Sequence, residues 1–351
     1  MSVDHTIRAA VALALFAANA AFGQGYAGLA SDAEGFALPH PDYRLEFPAD
    51  HGPHPDFRIE WWYVTANLEG PDGTNYGIQW TLFRTALRPG EAEAWASPQI
   101  WFGHAAVTTP ETHLFSERFA RGGIGQAGVE AAPFDAWIDE WRMWGPTISD
   151  VTLTAAGDDF AYRLELQAEG PLVLHGDDGY SVKSDEGQAS HYYSQPSYLA
   201  RGTLTLPEGE VQVEGRAWLD REWSSQPLSD RQTGWDWFSL HFENGAAMMG
   251  YFMRQTDGAP YAVATWIAPD GTGTPLPEGV LEAEPLETAT VEDREIPVAW
   301  RLRLPPRDLD VEVRALNPQS WMGTTFSYWE GPVTVMGSHE GRGYLEMTGY
   351  E

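Results

Sequence analysis

The chain has 351 residues, no cysteine and a formal net charge of −30 at pH 7, with Lys183 its only lysine. So acidic a surface is repelled by nucleic acid and by anionic membranes, and without cysteine there is no disulfide, thiolate nucleophile or lipidated thiol. The 16 Trp, 15 Phe and 14 Tyr, among 36 Gly and 25 Pro spread along the chain, read as many short strands around a wide apolar interior.

Residues 1–23 carry an apolar run, AAVALALFAANAAFG, behind Arg8, which fits a secretory signal peptide better than a membrane helix. Small residues allow cleavage after Ala20 or Gly23, so the expected address is periplasmic or secreted, with no stable membrane anchor. A Pro-rich lead occupies 24–45. The segment RIEWWYVTANLEGPDGTNYGIQWTLFRT then reads as an aromatic hairpin with a Gly-Pro-Asp-Gly turn. GWDWFSLHFENGAAMMGYFMRQT at 234–256 has the same form, matching Trp62 with Trp237, Tyr63 with Phe238 and Arg84 with Arg254. A repeat of this kind implies two copies of one β architecture. The expected division is an N-terminal domain at 46–222 and a C-terminal domain at 223–351.

WFGHAAVTT, DVTLTAAG, FAYRLELQAEG and LVLHG supply further strands between the two hairpins. Residues 117–127 and 133–144 read as loops or short helical inserts, and the glycines of the first make it a poor helix. Beyond 256 the strand pattern continues through YAVATWIAP, AWRLRL, DVEVRAL and FSYWEGPVTVMGSHEGRGYLEMTGY, interrupted by a Pro-rich loop at 273–285. With no long amphipathic helix in the pattern, the expected fold is all-β, two barrel-like sheets meeting near residue 220.

Most familiar chemistries lack their residues. His51 and His54 are separated by two residues in a Pro-rich loop without HExxH or a cysteine set, a poor metal site. There is no G-x-S-x-G elbow and no phosphate loop, and RGGIGQAG at 121–128 lacks the strand and helix of a dinucleotide fingerprint. No cofactor is expected. A third hairpin, ARGTLTL and EVQVEGRAWL around Pro207-Glu208-Gly209-Glu210, carries more. His191 and Tyr193 lie just before its first strand, while Trp218 and Asp220 close its second. Residues i and i+2 share a strand face, so all four are expected in one patch. A carboxyl group desolvated among aromatic rings stays protonated and can donate to a weakly basic carbon. The cation so formed gains about 2 kcal/mol from an aromatic face, and the histidine would orient the acid or position water. The same lining would equally hold an apolar ligand without reacting with it, and a satisfied His–Asp pair on a half-buried hairpin would look alike.

Seven blocks occur in order and are spread over nearly the whole mature length: IEWWYVTANL, FGHAAVT, ERFARGGIGQAG, HYYSQPSYLARGTL, GRAWLDREW, GWDWFSLHF and SYWEGPVTVMGSHEGRGYLEMTGY. On these the chain resembles the lipocalin-like family grouped with carotenoid 1,2-hydratase (hydroxyneurosporene synthase), which includes AttH-like proteins and bacterial predicted secreted hydrolases. The resemblance implies two tandem lipocalin-like β-barrel domains with a hydrophobic cavity near their junction. In the hydratase members a His-x-Trp and a later Tyr-x-Asp act, the Asp protonating a terminal isoprenoid double bond. Here the corresponding positions are His191-x-Tyr193 and Trp218-x-Asp220, with the two aromatic types exchanged. The resemblance thus implies Asp220 as acid, His191 as its partner and Tyr193 and Trp218 beside them, with Trp62, Trp237, Tyr198 and Phe238 lining the ligand site. The expected function is a cofactor-free hydratase or lyase acting on a hydrophobic polyene or isoprenoid-type molecule. The alternatives are a non-catalytic carrier or sensor of apolar molecules, and a pericyclic (Diels–Alder-type) cyclase.

Overall fold

A computed structural model describes residues 33–92, 94–226 and 228–350; the leader expected at 1–23 lies outside them. The fold is all-β. In chain order, β1 (Ile59–Glu69), β2 (Asn75–Ala86), β3 (Gln99–Thr108), β4 (His113–Arg121), β5 (Ala127–Glu130), β6 (Phe134–Ile138), β7 (Trp141–Thr147), β8 (Asp150–Ala156), β9 (Ala161–Ala168), β10 (Val173–Leu174), β11 (Tyr180–Val182), β12 (Ala189–Leu206) and β13 (Gly209–Ser224) form one sheet. Its order is β4-β3-β2-β1-β13-β12-β9-β8-β7-β6-β5, with β10 and β11 added to β12, and it curls into a nearly closed barrel. The second sheet, a half-barrel, comprises β14 (Gln232–Phe242), β15 (Ala247–Gln255), β16 (Tyr261–Ile267), β17 (Gly273–Pro275), β18 (Glu282–Val291), β19 (Arg294–Leu304), β20 (Leu309–Ala315), β21 (Trp321–Met322), β22 (Tyr328–Gly337) and β23 (Gly341–Met347).

Strand burial shows what each face meets. β9 alternates buried and exposed residues, as a barrel wall with one wet face must. The N-terminal half of β12 and the C-terminal half of β13 are buried on both faces, because the lead segment covers one face and the second sheet the other. Two apolar cores fill the barrel and half-barrel, and a third joins them, with Tyr63, Phe83, Phe102, Tyr192 and Trp218 packed on Trp235, Trp237, Met249 and Tyr251. Backbones approach closely elsewhere along this junction. A Cβ at Gly77 would lie 2.5 Å from the Pro332 ring, so only glycine fits there.

Two sequence expectations change. Residues 117–127 and 133–144, expected as loops or short helical inserts, are mostly strand, with β4, β5, β6 and β7 running through them and turns left at 122–126 and 139–140. Their alternation is short and interrupted by Gly and Pro, but pairing with neighbouring strands overrides the weak local signal. The Pro-rich stretch 273–285 likewise contains β17 and the start of β18. The two aromatic hairpins do recur as β1–β2 and β14–β15, each with an acid–arginine pair, Glu60–Arg84 fully buried and Asp236–Arg254 partly so. Their alignment is nonetheless off by one residue. Trp62 faces the barrel interior and Trp237 faces the junction, so Trp61 and Tyr63 are the counterparts of Trp235 and Trp237.

Candidate active site

The sheets meet near residue 220, and there they form a narrow aromatic cleft. Trp61, Tyr63, Phe83, Tyr192, Asp220 and Glu222 come from the first sheet; Trp235, Trp237, Tyr251, Met253 and Glu346 come from the second, with Lys183 and Leu228 from connecting segments.

Hairpin register decides which side chains enter. Opposite residues on paired strands share a face, and β12 pairs with β13 as Ser194↔Asp220 and Tyr192↔Glu222. Tyr192 and Ser194 therefore point with Asp220 into the junction. His191 and Tyr193 pair with Trp223 and Arg221 and turn to the other face. The expected four-residue patch is thus divided: Trp218 and Asp220 stay together, while His191 and Tyr193 lie beneath the lead segment. There Tyr193 Oη meets His51 Nδ1 at 2.6 Å, and the His191 ring packs on Tyr43 with centroids 4.6 Å apart. Both residues begin one long strand, Ala189–Leu206, and do not precede it, so a single-residue step exchanges the two sets of side chains.

Asp220 is only 3% exposed, and both of its oxygens are engaged. Oδ1 accepts from Trp218 Nε1 at 2.6 Å and from Ser194 Oγ, and Oδ2 accepts from Tyr192 Oη at 2.5 Å. Burial pushes the carboxyl up to about 7, against the pull of those three donors. Trp237 Nε1 donates to Tyr192 Oη at 3.1 Å, so the phenol links the acid to the second sheet. The imidazole connected to Asp220, through Ser194, is His175 rather than His191. His175 Nε2 lies 2.6 Å from Ser194 Oγ and Nδ1 2.9 Å from Thr265 Oγ1. Because Ser194 donates to Asp220, its oxygen accepts from Nε2–H, and Nδ1 accepts from Thr265. Burial lowers His175 to about 3, so this tautomer is neutral.

The other ionisable groups are distributed unevenly. Lys183 pairs with Glu222 at 2.7 Å and sits over the rings of Tyr192 and Tyr251, 4.7 and 4.3 Å from their centroids. Burial alone would lower its affinity for a proton; Glu222 outweighs that and keeps it charged. Glu346 is pushed up to about 7 by burial, with Asp220 and Glu222 adding to the rise. Tyr63 donates to Glu330 at 2.5 Å, and burial holds the Glu330 carboxyl well above its usual range.

Of the expected ligand-lining residues, Trp237 is in the cleft, its ring edge-on to Tyr63 at 5.2 Å. The others are core. Trp62 stacks on Trp101 inside the barrel and donates to the His51 carbonyl; Tyr198 donates to the Ile148 carbonyl at 2.5 Å; Phe238 packs in the half-barrel core. All three lie on the strand face pointing away from the junction. Tyr192, Ser194, His175, Glu222 and Glu346 were not anticipated. Lys183, as the sole lysine, carried a signal that its position between strands obscured.

The architecture has known relatives. The AttH-like family model matches residues 38–350. A Nitrosomonas europaea protein described as AttH is 33% identical and superposes with a TM-score of 0.81, covering 90% of this chain and 99% of that one. Kievitone hydratase from Nectria haematococca shares the fold at 16% identity and TM-score 0.64, over 90% of this chain and 98% of that chain. CghA, solved with Sch210972, shares it at 14% identity and TM-score 0.51, over 90% and 97%. No curated protein matches. With the matched region spanning both sheets and the cleft between them, the chain belongs to the AttH-like family.

Proposed function

We propose that this protein is a cofactor-free hydratase or lyase that protonates a carbon–carbon double bond of an apolar, prenyl-type molecule held in the cleft. The observation that carries the reading is the bond between Tyr192 Oη and Asp220 Oδ2, deep in an aromatic wall. Tyr192 is a rotor with two satisfied settings. With Asp220 ionised, Oη accepts from Trp237 and donates to Oδ2. With Asp220 protonated, Oη accepts from both Trp237 and Oδ2–H, and its own hydrogen is free to turn into the cleft.

In that second setting the O–H bond of Tyr192 breaks as a C–H bond forms at the alkene, and the proton of Asp220 moves to the phenol oxygen. The phenol alone is too weak an acid, since burial raises it well above its usual range. The acidity therefore comes from the carboxyl group near 7, within the range suited to acid catalysis at neutral pH. The positive charge appears on the more substituted carbon, among the rings of Trp61, Tyr63, Trp237 and Tyr251, each worth about 2 kcal/mol or more when desolvated. A hydratase among the fold relatives supports the reaction class. The test is incubation with geraniol, farnesol and geranylgeraniol in D2O, followed by mass spectrometry. Wild-type protein is expected to place deuterium on alkene carbon, and Tyr192→Phe to do so roughly 10²-fold more slowly. Equal rates would remove Tyr192 from the mechanism. Tight retention of unlabelled prenol by wild-type protein would replace the enzyme reading with the carrier one.

A further inference from the structure

Glu346 enters the cleft from the second sheet, on β23, directly opposite Trp237 of β14. Like Asp220 it is held by an indole, Trp235 Nε1 donating to Oε1 at 2.6 Å. There the likeness ends. Asp220 has both oxygens committed to three donors. Glu346 Oε2 meets no hydrogen-bond donor among the described residues, and the side chain is 9% exposed where it lines the cleft. One clamped oxygen and one bare oxygen make a seat for a small hydrogen-bond donor, since a bare carboxylate oxygen in an apolar cleft is costly.

Neighbouring carboxyls do not compete for this task. Glu222 is neutralised by Lys183 at 2.7 Å. Glu330, opposite Glu346 on the β22–β23 pair, takes the Tyr63 hydrogen bond on its inner side. Of the carboxyls that line the cleft, Glu346 alone combines a fixed position with an open oxygen, and Glu330 lies outside that lining.

We infer that Glu346 is the general base that takes a proton from water as that water attacks the cation formed by the Asp220–Tyr192 acid, so that the cleft performs hydration rather than isomerisation. This rests on the reading of Asp220 as the acid. A water lone pair forms the C–O bond, one water O–H bond breaks, and its proton passes to Glu346 Oε2. The alkene π electrons have meanwhile formed the C–H bond with the proton from Tyr192. The product gains H and OH, Asp220 is left ionised and Glu346 protonated. Return of one proton through the vacated cleft restores the start. Burial is the main cause of the raised Glu346 carboxyl, and the charge of Asp220 adds to the rise. The substrate class that suits this geometry is a trisubstituted, prenyl-type alkene, whose protonation gives a tertiary cation that water can trap.

The test uses the full protein with farnesol, in D2O and separately in H2 18O. Glu346→Gln keeps an oxygen for Trp235 and is expected to retain deuterium incorporation within about threefold while losing 18O uptake by roughly 10²-fold. Uptake of 18O at the wild-type rate would overturn the assignment, as would joint loss of both labels in a folded Glu346→Gln protein. Failure of the underlying reading has another signature: Asp220→Asn would continue to place deuterium on carbon. A second measurement needs no turnover. In carbon-13 NMR titrations of the Glu346 carboxyl, whose charged neighbours are Asp220, Glu222, Lys183 and Glu330, Asp220→Asn is expected to lower the midpoint. An unchanged midpoint would show that the charge of Asp220 does not bear on Glu346.

Discussion

Asp220→Asn is expected to raise the stability of the folded chain at pH 8 while removing its ability to deliver a proton. Burial lifts the carboxyl from 3.8 to about 7. Between those values the folded protein keeps a proton that the unfolded chain has released, so stability falls as pH rises through the window and levels off above it. Each unit is worth about 1.4 kcal/mol, which puts the burden on this wholly buried group at up to about 4 kcal/mol at pH 8 and near zero at pH 4. Asparagine imitates the protonated acid. Its Oδ1 can accept from Ser194 and Trp218, and its amide can donate to Tyr192 Oη as Oδ2–H would. Urea unfolding at pH 4 and pH 8 should therefore show a gain confined to the higher pH. A change of equal size at both would mean that Asp220 is not held near neutrality. Deuterium transfer to a bound prenol is expected to fall by about 10²–10⁴-fold in the same variant. The two effects have one origin, since the desolvation that makes Asp220 a usable acid is also what strains the fold.

Three of the expected residues, Trp218, Asp220 and Trp237, are at this site, and the others were misplaced for a specific reason. Alternation around the Pro207-Glu208-Gly209-Glu210 turn identified the hairpin, and Trp218-x-Asp220 was correctly placed on one face. The neighbouring run His191-Tyr192-Tyr193-Ser194 presents a polar or aromatic group on both faces, so composition cannot say which face joins Asp220. Only pairing register does, and it selects Tyr192 and Ser194. The same ambiguity affected Trp61-Trp62-Tyr63, where three large rings in succession concealed which two face the junction. Glu346 was hidden differently. It lies 126 positions beyond Asp220 among 51 acidic residues and becomes distinctive only when β23 docks beside β14 and Trp235 grips it. Family blocks located the fold because they sample both sheets. Cleft chemistry depends on pairing between residues of different strands, Tyr192 with Asp220 and Trp235 with Glu346, which no single block contains.

Glu60→Gln is expected to destabilise the protein by about 3–5 kcal/mol, the usual result of leaving a buried charge without its partner. Glu60 is fully buried on β1 and serves two guanidinium groups at once, those of Arg84 on β2 and Arg221 on β13. Burial would raise its carboxyl, but the two arginines outweigh that and hold it well below the usual carboxylate range. The His54 backbone N–H and ring add contacts at 2.9 and 3.1 Å. Arg84 also donates to the carbonyls of His54 and Phe57 at 2.8 and 2.9 Å, and Arg221 to that of Gly52 at 2.6 Å while lying 3.8 Å from the Trp62 ring centre. One carboxylate thus fastens the segment 50–57 across three strands, on the face opposite the cleft. An amide would leave two cations facing a neutral group in the dry interior, which is why the loss should exceed that of a surface ion pair, at most about 1 kcal/mol. Limited proteolysis should find residues 33–58 cut sooner in the variant, and urea unfolding should show the lower midpoint. A change below about 1 kcal/mol would mean that water or local rearrangement satisfies both arginines. Since Arg221 follows Asp220 directly on β13, the network also fixes the backbone that sets the acid against Tyr192. Glu60→Gln should therefore slow proton delivery without moving the midpoint of its pH dependence, whereas substitutions that touch Asp220 itself shift that midpoint.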